Sequence, residues 1–322
     1  MLARDAENLF WMGRYLERAE DTARLLDVTY HGLLEATVAE ERTAWRGVLH
    51  AVGLDDSYKE SRAPVTGAAV SAFLVDDHEN PGSIVSAIEA ARENARTVRE
   101  SLSTEVWETL NSFCLTMRSR NLRSEVEQQP HELYGFVRQQ CQTVAGVATE
   151  TLARDEGWRF LKLGWNLERA EWSSRLLRVR QQYLEASGFH EWVGTLRSAS
   201  ALEAYRRAHR TSMDPLDVVS FLLLSRTFPR SVFYAVRTAE DSLRVLQGDA
   251  GPGLPLRLAG RLRAELEFAD IREIMDGDLE RELFRFESAI RGVSAAVAAQ
   301  YFTSAHEFDL HTLQVFPGEG RP

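Results

Sequence analysis

The sequence predicts an all-α protein, a multi-helix bundle built from two tandem halves related by a pseudo-twofold axis. Three observations predict this class. Apolar residues recur with helical periodicity along almost the whole chain, strand-type alternation is absent, and one block of sequence is written twice. The repeated block includes charged residues in register, so a chance similarity of apolar positions does not explain it.

Two pairs of segments define the repeat, at spacings of 151 and 148 residues. They are Leu-Glu-Arg-Ala-Glu at 16–20 and 167–171, and Phe-Leu at 73–74 and 221–222. Nearly equal spacings in separate segments indicate halves of 1–150 and 151–322, which are too long to be solenoid units. The junction at 148–155 is predicted to be helical and has no linker composition. We therefore expect a single domain over 1–322.

The first helix of each half has a continuous apolar seam. Its residues step by three and four positions, the spacing that places them on one helix face. In the two halves these residues are Leu9, Met12, Leu16, Ala19, Ala23 and Leu26, and Phe160, Leu163, Leu167, Ala170, Ser174 and Leu177. Gly13 and Gly164 lie one turn before the first glutamate of each half, where the absence of a side chain favours close helix packing.

The rest of the chain is predicted to form further helices joined by loops. These helices cover 41–52, 66–75, 83–112, 130–150, 189–210, 214–225, 230–247, 256–275 and 278–304. The loops cover 53–64, 76–82, 118–129 and 248–255, and the end at 316–322 is expected to fray. Pro81 and Pro229 are expected at helix starts, where a missing N–H costs nothing, with Ser83 and Ser231 in the first turn.

Charged residues on the first helix share one face beside the apolar seam. Glu17, Glu20 and Arg24 are spaced at i, i+3 and i+7, with apolar residues on both flanks. A helix of this kind is central, and one orphaned charge in it would cost roughly 3–5 kcal/mol. These charges are therefore expected to be shielded from solvent and bonded across the pseudo-twofold axis or to a ligand. The same holds for Glu168, Glu171 and Arg175.

A second group of polar residues favours a ligand site. Arg92, Arg96 and Arg99 are spaced to lie on one helical stripe, and Asn94 adds an amide donor. A row of guanidinium groups requires carboxylates or an anionic ligand. The second half keeps only Arg244 of this row, so a site built on it is asymmetric. The Glu and Arg residues remain open to two interpretations, buried architectural ion pairs or a polar site.

Composition and motifs argue against several classes of function. A net charge of −10 argues against a nucleic-acid partner, and no apolar run reaches membrane length. No histidine follows a glutamate by three residues, so a di-iron bundle has no ligand pair. The acidic segment at 76–80 ends in Asn-Pro, unlike the aspartate-rich motif of prenyl synthases, and no phosphate-binding glycine loop occurs. We expect no metal and no cofactor, and a cytoplasmic location.

Four segments together resemble the alpha-E family, a bacterial all-helical family with a Glu-Arg motif. They are Glu-Asn-Leu-Phe-Trp-Met-Gly-Arg-Tyr-Leu-Glu-Arg-Ala-Glu at 7–20, the turn at 77–84, Ala-Arg-Glu-Asn-Ala-Arg at 91–96 and the second Glu-Arg segment at 167–171. The resemblance implies partners, namely a circularly permuted ATP-grasp protein and a transglutaminase-like protein. It also implies service in a pathway of peptide ligation or protein tagging. The chain carries no ATP-grasp segment of its own, so the resemblance does not imply ATP binding.

The resemblance and the charged motifs together predict an accessory or substrate-presenting component that binds a peptide or amino acid. The candidate residues for ligand binding or buried ion pairs are Glu17, Arg18, Glu20, Arg24, Arg92, Asn94, Arg96, Glu168, Arg169, Glu171 and Arg175. No catalytic residue is assigned. The first alternative is an enzyme of peptide-bond or amide transfer with Glu17 or Glu168 as general base. The second is a purely structural helical adaptor.

Overall fold

A computed structural model describes residues 1–33, 37–61, 63–183, 189–210, 213–249 and 251–302. These residues contain sixteen α-helices and one short 3-10 helix, and no β-strand occurs among them. The predicted all-α class is therefore confirmed. In the same part of the chain, no helix has the length and apolar character needed to cross a membrane.

The helices follow one another with short connections. The first eight are α1 Ala3–Gly32, α2 Val38–Val52, α3 Asp55–Glu60, α4 Gly67–Val75, α5 Ile84–Thr97, α6 Thr104–Ser119, α7 Leu122–Gln128 and α8 Pro130–Thr151. The second eight are α9 Glu156–Tyr183, α10 Phe189–Ser198, α11 Leu202–His209, α12 Pro215–Leu224, α13 Val232–Gln247, α14 Leu254–Glu267, α15 Ile271–Asp276 and α16 Leu279–Tyr301.

Helices α1 and α9, each the first and longest helix of its series, lie side by side in the centre of the bundle. Helix α1 also packs against α5 and α8, and α9 packs against α13 and α16, which hold the same places in the second series. This order agrees with the repeat spacing, whereas the pseudo-twofold axis itself stays a prediction. Helices α1 and α9 are apolar on more than one side because each has neighbours on several sides.

Two glycines allow α1 and α9 to approach closely. A Cβ atom built on Gly13 would lie 2.5 Å from the carbonyl oxygen of Leu161 on α9. A Cβ on Gly164 would overlap the carbonyl oxygen of Phe10 on α1. Each glycine therefore faces the backbone of the other helix, as the sequence predicts. This contact brings the charged residues that follow each glycine to within bonding distance of one another.

Serine side chains fix the starts of α5 and α13. The hydroxyl of Ser83 accepts a hydrogen bond from the backbone N–H of Ser86, and Ser231 accepts one from Tyr234. Both serines have extended backbone angles and are N-caps rather than first-turn residues. Pro81 and Pro229 precede the caps by two residues, so the prediction that proline begins these helices is wrong.

Several predicted segments divide where a polar side chain caps a new helix. The segment 83–112 breaks because Ser103 caps α6, and 256–275 breaks because Asp270 caps α15. The segment 189–210 breaks at Ser200, which has a φ of 55°. The predicted loops at 53–64 and 118–129 contain α3 and α7.

The junction between the halves is also not continuous helix. Helix α8 ends at Thr151 and α9 begins at Glu156. The side chain of Asp155 accepts a hydrogen bond from the backbone N–H of Trp158 and so starts α9. The expectation of fraying at 316–322 concerns residues outside the described part of the chain.

Candidate functional site

The two Glu-Arg motifs face each other across the contact between α1 and α9. Arg18 donates from Nε to Oε1 of Glu168 at 2.9 Å, and Nη2 of Arg169 lies 2.9 Å from Oε2 of Glu17. The arginine of each motif therefore pairs with the glutamate of the other. Both glutamates are buried, which confirms the prediction that they are shielded and bonded across the helix contact.

We call Glu17, Glu20 and Asp21 on α1 the acid cluster. Arg230, which lies just before α13, reaches all three carboxylates, with nitrogen–oxygen distances of 2.8, 2.9 and 2.5 Å. The carbonyl oxygen of Arg230 accepts a hydrogen bond from Ser173 on α9 at 2.6 Å, which holds this segment against the central pair.

Two further groups complete the acid cluster from other directions. Glu20 pairs with Arg24 one turn along α1 and accepts a hydrogen bond from Gln142 on α8 at 3.0 Å. Arg24 is buried as predicted, and its ion pair lies within its own helix. Three acids thus meet three arginines, namely Arg24, Arg169 and Arg230.

Two carboxyl groups of the acid cluster, those of Asp21 and Glu20, have pKa values that are shifted in opposite directions. Burial raises the pKa of Asp21 to about 8, against the attraction of Arg230, and Glu17 and Glu20 act in the same direction as burial. Burial also opposes ionisation of Glu20, but Arg230 and Arg24 outweigh it and lower its pKa to about 2. Asp21 therefore holds a proton near neutral pH, whereas Glu20 is ionised.

A second group of ion pairs surrounds α9, and we call it the arginine cluster. Arg14 donates from Nε to Glu168 at 2.5 Å and from Nη2 to Glu171 at 2.7 Å. Arg175 donates to the other oxygen of Glu171 at 2.8 Å. Its members are Arg14, Arg18, Arg175, Arg178, Arg291, Glu168, Glu171 and Glu287.

The arginine cluster carries more positive than negative charge. Among the described side chains, direct ion pairs link five arginines to three glutamates in it. Two residues of the arginine cluster, Glu168 and Arg175, have shifted pKa values. Arg14 and Arg18 overcome the effect of burial and lower the pKa of Glu168 to about 2. Burial lowers the pKa of Arg175 despite the nearby Glu171, Glu287 and Glu168.

A narrow cleft opens onto the arginine cluster. Arg18 and Glu168, one residue from each Glu-Arg motif, line it together with Arg175 and Trp172. The indole Nε1–H of Trp172 is buried and has no hydrogen-bond partner among the described residues. At the observed side-chain positions the interior admits about one water-sized group, so it can take one oxygen of a carboxylate.

The absence of a side chain at Gly82 explains why the cleft lies beside the arginine cluster and not beside the acid cluster. At the repeat spacing of 148 residues, Gly82 corresponds to Arg230, whose guanidinium fills the acid cluster. Gly82 lines the cleft and offers no side chain. A Cβ atom at Gly82 would also lie 2.8 Å from Leu54, so the turn has little room for a larger residue.

Three predicted site residues lie away from both clusters. Arg92 donates to Asn111 at 2.7 Å and lies over the ring of Trp107, which Arg99 also contacts. Arg96 is exposed and pairs with Glu93 on its own helix, and Asn94 is half-buried. The structure thus brings together the eight candidates on α1 and α9 and leaves Arg92, Asn94 and Arg96 on α5 outside both clusters.

Three residues of the two clusters were not among those predicted from the sequence, namely Arg14, Asp21 and Arg230. At the repeat spacing these three correspond to Trp165, Trp172 and Gly82, so a search for repeated charges passes over them. The positions of Arg14 and Asp21 could have been predicted from helical spacing. Both lie on the helix face of Glu17 and Arg18 or next to it. Arg230 carried no local signal, because it precedes a helix far away in sequence.

Comparison with known proteins supports the sequence resemblance. A family model described as a predicted alpha-helical domain with a conserved ER motif matches residues 1–302. An uncharacterized protein of Mycobacterium bovis is 28% identical over 318 residues, which cover 90% of this chain and 35% of that protein. Two uncharacterized proteins of Mycobacterium tuberculosis are 28% and 27% identical over the same lengths. The chain thus spans about a third of these relatives. No solved structure matches it.

Proposed function

This chain belongs to the alpha-E family, and from that membership and the geometry of the cleft we propose that it presents a substrate within an ATP-grasp-dependent pathway of peptide ligation or protein tagging. In this role it binds an amino acid or peptide by a carboxylate group, beside Arg18 and Arg175. The ligating enzyme is an ATP-grasp protein, with a transglutaminase-like protein as a further partner. Because ligation of this kind uses ATP, we place the pathway in the cytoplasm.

The surplus of guanidinium charge at the cleft supports this proposal most directly. A charge-assisted hydrogen bond from arginine to a carboxylate is about twice as strong as a neutral one. The unpaired indole N–H of Trp172, which lines the cleft together with Arg18 and Arg175, favours an anionic acceptor. The small interior favours recognition of one carboxylate, with the rest of the ligand outside the cleft.

The same geometry disfavours Glu168 as a general base. Its pKa of about 2 makes it a weak proton acceptor at neutral pH. The acid cluster, by contrast, is filled by the guanidinium group of Arg230, which suits an architectural role. We therefore assign ligand binding to the arginine cluster and support of the helix contact to the acid cluster.

A binding experiment tests the proposed ligand class. The full chain is titrated by calorimetry with short peptides that end in a free carboxylate and with the same peptides ending in an amide. Binding of the free acid alone is expected. Arg18→Gln should weaken this binding by at least about tenfold, since a charge-assisted hydrogen bond contributes about 1.5–3 kcal/mol.

Arg169→Gln is the matched control, because Arg169 is the arginine of the other Glu-Arg motif and pairs with the acid cluster. It should leave peptide affinity unchanged. Equal binding of acid and amide peptides, or equal losses in both variants, would contradict carboxylate recognition at the cleft. The pathway is tested separately by purifying the tagged chain with its bound proteins, where an ATP-grasp protein is expected.

A further inference from the structure

A group of potential metal ligands lies at the C-terminal end of α1, away from both charge clusters. Asp27 and His31 are one turn apart on α1, and His131 lies at the start of α8. Nδ1 of His31 lies 3.4 Å from Oδ1 of Asp27, and Nδ1 of His131 lies 2.7 Å from the same oxygen. One ligand atom from each residue lies within 4.8 Å of the others.

We infer that Asp27, His31 and His131 form a binding site for one divalent transition metal ion of the zinc type. Zinc binds imidazole nitrogen and carboxylate oxygen at about 2.0–2.2 Å, so two ligands in a tetrahedral site lie roughly 3.3 Å apart. The distance from Asp27 to His31 already matches this separation. The distance from Asp27 to His131 is that of a hydrogen bond and needs to lengthen by about 0.6 Å to reach it.

The two imidazoles can make this adjustment because they are at the surface. The side chains of His31 and His131 are 42% and 58% exposed, whereas that of Asp27 is 8% exposed. Their rings lie 4.6 Å apart at 84° to each other. The carboxylate is thus fixed in the fold and the imidazoles close over it from outside.

Arg138 and the backbone orient these ligands. Nη2 of Arg138 lies 3.0 Å from Oδ2 of Asp27, the oxygen that neither histidine contacts. This pairing leaves Oδ1 for the metal and favours a carboxylate bound through one oxygen. Nδ1 of His31 also lies 2.8 Å from the carbonyl oxygen of Asp27, so metal binding through Nδ1 replaces that contact.

Three protein ligands leave a coordination position open to solvent. Zinc sites with two histidines and one carboxylate keep a fourth position for water or for a group from a binding partner. The sequence predicted no metal, because no histidine follows a glutamate by three residues. Here the second histidine comes from a different helix, 104 residues from Asp27.

Metal titration of the full chain tests this site without any peptide ligand. Zinc chloride is titrated against a chromophoric chelator with the wild-type protein, His31→Ala, His131→Ala and the control His78→Ala. His78 is an exposed histidine that lies 3.6 Å from a single carboxylate, that of Glu89. We expect one zinc ion to bind the wild type and the control equally. Each of the other two variants should lose affinity by at least about tenfold.

Cobalt(II) supplies a second measurement on the same proteins. Bound tetrahedrally, it should give a strong visible absorption band in the wild type and in His78→Ala. That band should be lost in His31→Ala and His131→Ala. Circular dichroism checks that the variants are folded. If His131→Ala is not folded, His131→Gln replaces it.

Absence of saturable zinc binding, or equal affinity in all four proteins, would overturn the metal site. Because these measurements use no carboxylate peptide, their failure leaves the proposed function untouched, and failure of peptide binding leaves the metal site untouched.

Discussion

Arg18 on α1 and Glu168 on α9 are paired at 2.9 Å, and the equivalent residues Arg169 and Glu17 are paired in the opposite direction at 2.9 Å. The two Glu-Arg motifs therefore bind each other reciprocally across one helix contact. The surroundings of the two pairs differ, since Glu17 also meets Arg230 while Glu168 also meets Arg14. This difference leaves Arg18 beside a cleft and surrounds Glu17 with further ion pairs.

Neutralising the two motif glutamates is expected to separate binding from architecture. Glu168→Gln and Glu17→Gln should each lower the free energy of unfolding by about 1–3 kcal/mol, because buried arginines lose a charged partner. Glu168→Gln also releases Arg18 and increases the positive charge at the cleft, so affinity for a carboxylate peptide should rise. Glu17→Gln should leave that affinity unchanged. Denaturant unfolding and calorimetry measure the two effects, and a loss of affinity in step with stability in both variants would favour the purely structural alternative.

The close contact of α1 with α9 is expected to tolerate no side chain at Gly164. Gly164→Ala should destabilise the protein by about 1–3 kcal/mol, because the new methyl group meets the carbonyl oxygen of Phe10. Gly146→Ala is the matched control, since Gly146 is an exposed glycine in α8 with no atom within 4 Å of the added Cβ. That change should stabilise by roughly 0.5–1 kcal/mol through helix propensity. Thermal or urea unfolding measures the two changes in stability, which should have opposite signs. Stabilisation by both substitutions would refute the close contact.

Asp21 is expected to make stability depend on pH near neutrality. Burial raises its folded-state pKa to about 8, above the unfolded value of about 3.9. Its contribution to stability is therefore fully present below about pH 4 and is lost as the pH rises through about 8.

Asp21→Asn, which has no proton to lose, should show a smaller fall in unfolding free energy between about pH 5 and 8 than the wild type. Asp56→Asn, at an exposed position, should follow the wild type. Urea unfolding at several pH values measures the difference. Parallel curves for all three proteins would show that Asp21 is ionised throughout this range.

The predicted duplication can be checked by experimental coordinates. When α1 is superposed on α9, α5 should fall on α13 and α8 on α16, with Ser83 on Ser231. The basis is that equivalent helices follow in the same order and pack against the same central helix. If the same rotation places α5 or α8 elsewhere, the halves are not related by a pseudo-twofold axis.

Features that depend on local spacing could be predicted from the sequence. The helical period identified α1 and α9, and apolar residues on both flanks of Glu17 and Glu20 indicated a buried charged face. Helix ends were predicted less well, because a cap such as Ser103 is one side chain whose hydrogen bond outweighs the continuing apolar pattern. The sequence alone thus determined the all-α class, the central helices and the burial of their charges.

Only the tertiary structure decided which charge meets which. Arg230 reaches Asp21 from a position 209 residues away, and His131 reaches Asp27 from another helix. An arginine side chain is long enough to serve any of several buried carboxylates, so the pairing depends on how the helices cross and not on local spacing. The same holds for the cleft, where Gly82 takes the place that Arg230 has in the second half and leaves space instead of a guanidinium group. Burial follows from periodicity, whereas the partner of a buried charge follows from the packing of distant helices.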